Sequence, residues 1–386
     1  MSHVIDYIYL RILLIMLSSQ INSAKHEIEA TFKTTGKMKH KTAKIQDVAR
    51  VAGVSTATVS RALSNPQKLS EATLKAVSDA ISATGYRINK TAQSLRRQKA
   101  NAILVCVPNL GNPFFSEILS GISKGFSSTK YSVLITDSQH LDEKEMRVIE
   151  SFSDGTIDGM ICLDGNFKSS QLDKFSAFNV DDKIVFACEW VDNANYPSIR
   201  SDNEKGAKLA FRHLYDLGHR KIAHVTGPEN NVLTLIRRDS LNHERERLGL
   251  PFKPEWIIRG DFSVASGVEA GHRILDMKDR PTAVFCASDE VAFGLISALT
   301  SAGLNVPKDI SVVGFDDISL ADNFVPALTT IRQNRKFIGL RAAEKLSEIL
   351  EQNKELKNPY SAEIVDVELI VRASTSRIHV SSSNTY

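Results

Sequence analysis

Residues 45–65 read IQDVARVAGVSTATVSRALSN, the pattern of two short helices joined by a tight turn. Ile45, Val48 and Ala49 recur at helical spacing and put an apolar stripe on the first helix. Gly53 follows where the chain must turn, and glycine adopts a left-handed conformation at the least steric cost. The stretch predicts a helix-turn-helix, whose second helix suits the major groove of DNA.

The second helix has a capping residue and an apolar inner face. Ser55 can accept a hydrogen bond from a backbone amide in the first turn of this helix. Val59 and Leu63, with Ala62, face inward at the same helical spacing. An ordinary helical hairpin that contacts no DNA is the alternative interpretation of this pattern.

The outer face of the second helix carries side chains that can read DNA. Arg61 can donate two hydrogen bonds to guanine, Thr56 can donate or accept, and the Ala57 methyl group suits a thymine methyl. Thr58 and Ser60 are suited to hold phosphates. We therefore predict that these five residues contact DNA.

The charge of the chain is unevenly distributed. Its net charge is only +3, but residues 38–99 hold twelve Lys or Arg against three Asp or Glu, a net +9. From Ala100 onward 32 basic face 39 acidic side chains, a net −7. A compact basic module on an acidic body is typical of nucleic-acid binders, with a merely solvated basic face as the alternative.

From Ile103 onward the chain alternates apolar β-type runs with amphipathic stretches. Such alternation is typical of parallel sheets covered by helices on both faces. The strands span too much chain for one unit of common size, so we expect two successive doubly wound α/β lobes behind an all-α headpiece. The candidate strands are residues 103–108, 131–136, 157–163, 183–188, 221–227, 282–288 and 310–316, and clear helical patterns cover residues 115–127, 205–217 and 290–302.

The cysteines and histidines indicate neither a disulfide framework nor a metal site. Each cysteine lies inside an apolar run without C-x-x-C spacing, and the ten histidines lack ligand spacing. We expect the cysteines to be small core residues in a reducing cytoplasm, and no metal or cofactor. They are Cys106, Cys162, Cys188 and Cys286.

The N-terminal segment is not expected to be part of the fold. Residues 5–17 are apolar, but no Lys or Arg precedes them, Arg11 interrupts them, and they are too short to span a bilayer. We expect residues 1–40 to be a disordered or spurious extension, with Met38 as a natural start. A membrane-proximal arm is the alternative.

The motif V-A-x-x-A-G-V-S-x-x-T-V-S-R-A-L over residues 48–63, followed by Gly85-Tyr86 and A-x-x-L at 92–95, strongly resembles the lactose-repressor (LacI/GalR) family. The segments STATVSRAL, NPFFSEI, RGDF, PTAVFC and ELIVRAST are most similar to its cytidine-repressor branch. The resemblance runs from about residue 44 to 377. It implies a linker that folds as a hinge helix on DNA.

In that family a hinge leucine wedges into the minor groove, and Leu95 matches its position. We predict that Leu95 and the adjacent Arg96 contact DNA. One departure is Ile88, which stands where the family usually has proline, and we expect it to leave the hinge less pre-set.

The resemblance also implies a core like that of periplasmic sugar-binding proteins, with a ligand at the carboxyl ends of the strands. Phe115 and Phe262 then form stacking walls, and Arg237 and Asp316 the hydrogen-bonding ends. A departure is Ser240, where the family usually has glycine three residues after the arginine, so a different local backbone is expected there and the resemblance supports Arg237 less firmly than Asp316. The candidate effector-binding residues are Phe114, Phe115, Asn231, Arg237, Phe262, Ser288 and Asp316.

Several of these residues also have a purely structural interpretation, without contact to a ligand. Either Phe114 or Phe115 can be plain core, and Asp316 can cap the next helix. Asp202 suits a helix cap or a hinge contact, and Asp289 suits a link between the lobes more than a ligand contact.

We predict a ligand-responsive, sequence-specific DNA-binding regulator, a repressor rather than an enzyme, because no nucleotide-binding or catalytic motif is present. The predicted partners are a pseudo-palindromic operator, a sugar or nucleoside effector and a second copy of the chain, in the cytoplasm at the nucleoid. The predicted divisions are the headpiece (41–88), the hinge (89–100), the effector domain (101–377) and a disordered tail (378–386). A transport-type binding protein and a sugar-modifying enzyme are the rival functions.

Overall fold

The computed structural model describes residues 43–86, 100–138, 141–192, 194–351 and 361–378, without the side chains of residues 141–146 and 169. The chain divides into two compact units near residue 90. The predicted extension (1–40), Ile88, Leu95, Arg96 and residues 379–386 lie outside the described residues. The finer domain limits stay predictions.

The first unit, here called the headpiece, has three helices around a small core. They are α1 (Ile45–Ala52), α2 (Thr56–Ser64) and α3 (Glu71–Thr84), with a short 3-10 turn at Pro66–Lys68. Val48 and Val59 are fully buried and pack with Val77 of α3. Gly53 ends α1 in the left-handed conformation, φ 66°. The headpiece is the expected helix-turn-helix because both helices bury the predicted apolar stripe.

The second unit contains two α/β lobes. The N-lobe sheet is fully parallel with strand order β11-β5-β4-β3-β1-β2. Its strands are β1 (Ala102–Val107), β2 (Ser132–Asp137), β3 (Gly159–Cys162), β4 (Ile184–Ala187), β5 (Ser198–Ser201) and β11 (Ala362–Val365), and its helices are α4 (Phe114–Phe126), α5 (Leu141–Ser153), α6 (Ser169–Ala177) and α11 (Arg335–Glu351).

The C-lobe repeats this plan in the order β12-β10-β9-β8-β6-β7, with only β10 and β12 antiparallel. Its strands are β6 (Ile222–Val225), β7 (Ile257–Ile258), β8 (Ala283–Cys286), β9 (Ser311–Asp316), β10 (Thr329–Gln333) and β12 (Val367–Ile370), and its helices are α7 (Asn203–Asp216), α8 (Val232–Arg247), α9 (Val264–Asp276) and α10 (Asp289–Ser301). The expected fold class is confirmed.

Close helix pairs show that the two lobes repeat one geometry. A Cβ atom on Gly121 of α4 would lie 2.1 Å from the Lys336 carbonyl oxygen of α11. In the C-lobe, a Cβ on Gly267 of α9 would lie 2.1 Å from the Val291 carbonyl oxygen of α10. Only glycine allows these backbones to approach so closely, so each pair packs as one rigid layer.

The chain crosses between the lobes three times, after β5, after β10 and after β11. The first and third crossings are tied together, since the Asp202 amide donates to the Val365 carbonyl oxygen at 2.9 Å. Asp202 also caps α7 by accepting from the Lys205 amide, as the sequence suggested. The three crossings together connect the lobes and are here called the interlobe hinge, and the first and third of them lie side by side.

Several strands escaped the sequence prediction because their residues are polar. β10 reads TTIRQ, yet Thr329 and Thr330 are fully buried. Their hydroxyl and amide groups are paired inside the lobe, with Ser374 for Thr329 and Asp289 for Thr330. Burying a polar side chain costs little free energy when its hydrogen bonds are satisfied. A search of the sequence for hydrophobic runs therefore does not find such a strand.

The cysteines and the first residue of the predicted tail both belong to the folded part of the chain. All four cysteines are free and buried, as expected for core residues. Ile378, assigned to the tail by the sequence, donates its amide to the Leu217 carbonyl oxygen at 3.0 Å, so the ordered chain reaches at least this residue. None of the described helices is both long and apolar enough to cross a membrane.

Candidate DNA-contacting helix and effector cavity

Helix α2 presents the predicted DNA-contacting face. Thr56, Ala57 and Arg61 are exposed, whereas Thr58 and Ser60 are half-buried. The Thr58 amide donates to the Ser55 hydroxyl at 3.1 Å, and the two hydroxyls are 2.9 Å apart. Thr56, Ala57 and Arg61 are therefore exposed on one face of α2, where they can contact DNA bases. Thr58 takes part in the N-terminal cap of α2 through Ser55.

A cavity of about 210 Å³ lies between the two lobes and is lined by all seven predicted effector residues. Phe114 and Phe115 come from the start of α4 in the N-lobe, and the other five come from the C-lobe. The cavity adds residues that the sequence analysis did not propose. They are Pro108, Asn109, Asn112, Asn166, Glu189, Pro228, Leu233 and Asp261.

Arg237 on α8 is buried and lines this cavity. Its Nε and Nη2 donate to the Asn203 Oδ1 at 3.0 and 2.8 Å, and its Nη1 donates to the Ala287 carbonyl oxygen at 2.5 Å. Its guanidinium also lies 3.6 Å over the ring centre of Phe315. Burial lowers the pKa of Arg237, and the nearby carboxyl group of Asp316 opposes this shift.

Asp316 ends β9 with φ 123°, a conformation that non-glycine residues rarely adopt. Its Oδ1 accepts from Gln333 Nε2 at 2.6 Å. Burial raises the pKa of Asp316 to about 7, against the lowering effect of Arg237 and Arg335. No described helix begins directly after Asp316, so its interpretation as a helix cap is wrong.

Two of the predicted polar residues begin helices at the cavity wall. The Asn231 Oδ1 caps α8 by accepting from the Leu233 and Thr234 amides. The Ser288 hydroxyl caps α10 through the Val291 amide and donates to the Phe262 carbonyl oxygen at 3.2 Å. Both residues therefore line the cavity with side chains that the caps hold in place.

The aromatic walls come from both lobes. Phe114 and Phe115 meet edge to face, with ring centres 5.1 Å apart, and both are largely buried. Phe262 has φ 69° and covers Gly227, where a Cβ would lie 2.2 Å from its Cζ. A β-carbon at residue 227 would therefore push the Phe262 ring from its place.

Glu189 is the cavity residue that sequence reasoning missed. It follows Cys188, whose φ is 70°, at the end of β4. Its carboxylate accepts from the Gly165 amide at 2.9 Å. Burial raises the pKa of Glu189 to about 7, against the lowering effect of the Asn231 side chain, which belongs to the other lobe and lies close by. A carboxyl residue directly after the apolar run KIVFAC was the available signal.

Arg335, the first residue of α11, bridges the lobes next to the cavity. Its Nη1 donates to the Phe114 carbonyl oxygen at 3.2 Å in the N-lobe. Its Nη2 donates to the Asp317 carbonyl oxygen at 3.0 Å in the C-lobe. A movement of the backbone at Phe114 or just after β9 therefore alters a hydrogen bond of the same Arg335 guanidinium.

Two other expectations are corrected. Asp289 does not link the lobes in the described structure, because its carboxylate accepts from the Ile318 amide and the Thr330 hydroxyl, both in the C-lobe. Ser240 does not disturb α8, since its hydroxyl donates to the Ile236 carbonyl oxygen within a continuous helix. The doubt that Ser240 raised about Arg237 is thereby removed.

Comparisons with known proteins cover nearly the whole described chain. Residues 44–89 match the model of bacterial regulatory proteins of the lacI family, and residues 211–375 match a periplasmic binding protein-like domain. The chain is 37% identical over 337 residues to the HTH-type transcriptional repressor CytR of Escherichia coli strain K12, covering 86% of this chain and 96% of that protein.

It is 33% identical over 336 residues to the HTH-type transcriptional repressor PurR of Haemophilus influenzae strain PittEE, covering 87% of this chain and 99% of that protein. Among solved structures it is similar to a Lac repressor dimer bound to operator and the anti-inducer ONPF, with TM-score 0.77 and 28% identity over 87% of this chain and 100% of that one. These relatives are repressors and not enzymes or transport proteins.

Proposed function

The chain belongs to the LacI family of bacterial transcriptional regulators and binds DNA, and from this premise we propose that it is a dimeric repressor whose operator affinity is set by a sugar or nucleoside. The observation that carries the proposal is the pairing of an exposed reading face on α2 with a cavity of about 210 Å³ between two hinged lobes. The genes it controls serve the uptake or breakdown of its effector, and it acts in the cytoplasm.

An edge strand of the N-lobe supports assembly into a dimer. Strand β2 lies at one end of the described sheet, and its Leu134 and Ile135 side chains are both exposed. An exposed edge with large apolar side chains promotes pairing unless another surface covers it. A second copy of the chain against this edge brings two headpieces to the two half-sites of a pseudo-palindromic operator.

Binding of the effector changes the angle between the lobes in this proposal. The cavity walls come from both lobes, and the chain passes between the lobes in three crossings, so a ligand held by both walls favours one angle. Linkage requires that this angle also differ in DNA affinity, and a coupling of about 1–3 kcal/mol is typical.

Replacing Arg61 by alanine tests the DNA contact. An operator selected from a random duplex pool serves as the target. We expect Arg61→Ala to lose about 1–3 kcal/mol of discrimination at one guanine position, because the bidentate contact is removed. Affinities for operators changed at single positions, measured at one fixed salt concentration, check this.

Arg50→Ala is the matched control, since Arg50 is an exposed basic residue on α1 that pairs with Asp47. It removes the same charge from the same headpiece and should leave base discrimination unchanged. If Arg61→Ala weakens binding to random DNA as much as to the operator, Arg61 contacts phosphate and the base-reading assignment fails.

Replacing Arg335 by methionine tests the coupling between cavity and lobes. We expect the effect of the ligand on operator affinity to change by about 0.5–2 kcal/mol, because the link from Phe114 to Asp317 is lost. Operator affinity with and without saturating ligand measures it. Lys336→Met, at an exposed neighbouring position, is the control. Equal coupling in both variants would remove Arg335 from the mechanism.

A further inference from the structure

The wall of the effector cavity carries more acid than base. Three of its lining residues are carboxylic acids, namely Glu189, Asp261 and Asp316, and among the described lining residues Arg237 alone is basic. The acids come from both lobes, so a ligand held between the lobes meets carboxyl groups on two sides. The sign of the cavity is therefore negative or neutral.

The Arg237 guanidinium is largely committed to the protein. Three of its five N–H groups donate to Asn203 and Ala287 within the C-lobe. Its positive charge already lies among the carboxyl groups of Asp316, Glu189 and Asp289. It therefore has little capacity left to compensate an additional anion in a buried site.

Glu189 has unused acceptor capacity that faces the cavity. A carboxylate has about four acceptor positions, and the Gly165 amide occupies one of them at 2.9 Å, with the Asn231 side chain close by. The residue is almost fully buried, and the backbone before it is held in the left-handed region at Cys188. Strained backbone of this kind is characteristic of ligand-binding positions.

We propose that the cavity takes an uncharged ligand rich in hydrogen-bond donors, a free sugar, polyol or nucleoside, and that Glu189 makes it reject the phosphorylated form of the same compound. The proposal rests on the proposed function, because it concerns the effector of that regulator. Hydroxyl or amino groups of the ligand donate to Glu189 and Asp316 from the two lobes. A phosphate placed there meets carboxylates and no free cation in the described wall.

Matched ligand pairs test the charge rule on the full chain. The pairs are ribose and ribose 5-phosphate, glucose and glucose 6-phosphate, and four ribonucleosides with their 5′-monophosphates. We expect at least one uncharged member to bind in calorimetric titration and its phosphorylated partner to bind at least about tenfold more weakly. A phosphorylated member that binds as well as its partner, or no binding by any uncharged member, would overturn the proposal.

Glu189→Gln tests the assignment to this residue, because it keeps the size and removes the charge. We expect the preference for the uncharged member to shrink by about tenfold. Asp173→Asn, an exposed change on α6 of the same lobe, should leave the preference as it is. A cooperative thermal unfolding transition and an unchanged far-UV circular dichroism spectrum establish that both variants fold. An unchanged preference in Glu189→Gln would overturn the role of Glu189.

The pH dependence gives a second readout. The pKa of Glu189 is about 7 in the free protein, with Asp164 raising it and Arg237 lowering it, while Asp316 and Arg335 lie around the adjacent Cys188. A donor ligand favours the ionised carboxylate, so affinity for the uncharged ligand should rise by about tenfold from pH 6 to pH 8. The pKa of Asp316 is raised as well, so we expect Glu189→Gln to reduce this rise to the part that Asp316 causes. A rise in Glu189→Gln as large as in the unchanged protein would overturn our assignment.

Failure of this inference differs from failure of the proposed function. A phosphorylated ligand that binds in the cavity and shifts operator affinity overturns the charge rule and leaves the regulator intact. Uncharged ligands that bind with the expected preference but never change operator affinity support the charge rule and contradict effector control.

Discussion

Replacing Arg237 by methionine is expected to lower the free energy of unfolding by about 3–5 kcal/mol and to abolish the response of operator binding to the effector. Methionine retains much of the volume but removes three hydrogen bonds, leaving the Asn203 Oδ1 and the Ala287 carbonyl oxygen without this donor. It also leaves buried carboxyl groups without their cation, and breaking a buried charge cluster from one side is costly. Denaturant unfolding and operator binding with and without ligand measure the two effects.

Arg238→Met is the matched control for this change. Arg238 is the next residue on α8, is partly exposed, and pairs only locally with Asp239 in the described structure. We expect it to cost less than about 1 kcal/mol, as exposed ion pairs do. If Arg237→Met lowers the free energy of unfolding no more than this control does, the charge of Arg237 does not stabilise the buried carboxyl groups around the cavity.

Replacing Gly121 by valine is the second change with a large expected effect, a loss of about 3 kcal/mol or more in the free energy of unfolding. A Cβ at this position meets the Lys336 carbonyl oxygen at 2.1 Å and the Leu340 amide nitrogen at 2.9 Å, so α4 and α11 must separate. Overpacking of a close helix contact is costly because neither backbone can yield locally. Since α4 begins at Phe114 and α11 at Arg335, ligand affinity should fall as well.

Ser120→Val separates this clash from helix propensity. Ser120 precedes Gly121 on α4 and is exposed, so valine there changes only the intrinsic preference, by a few tenths of a kcal/mol. Thermal or denaturant unfolding of both variants distinguishes the causes. Equal losses would mean that the helices accommodate a side chain and that their close approach is not required.

The sequence predicted the headpiece almost completely, and the reason is local. The stripe of Val48 and Val59, the turn at Gly53 and the cap at Ser55 are all decided within a few residues of chain. The apolar strands of both lobes were recognised for the same reason. Strands with polar sequences, such as β5 and β10, were missed because only their neighbours make them buried.

The effector cavity was predicted in part. The family resemblance predicted seven effector-binding residues, and all seven line the cavity. Their contact with a ligand is part of the proposed function. Glu189 was missed because its one local signal, a carboxyl residue after the apolar run KIVFAC, is also typical of ordinary surface positions, and Arg335 has no local signal of its own. Their importance comes from partners far along the chain, Asn231 for Glu189 and Phe114 for Arg335.

By itself, then, the sequence determined the helix-turn-helix, the alternation of strands and helices, and the concentration of positive charge in residues 38–99, because each depends on periodicity, propensity and composition within short stretches. Only the tertiary structure decided which carboxyl groups meet in the cavity, that Arg237 is already committed to Asn203, and that Asp289 stays within one lobe. These outcomes depend on burial and on hydrogen bonds between segments distant along the chain, and such contacts exist only once both lobes have packed.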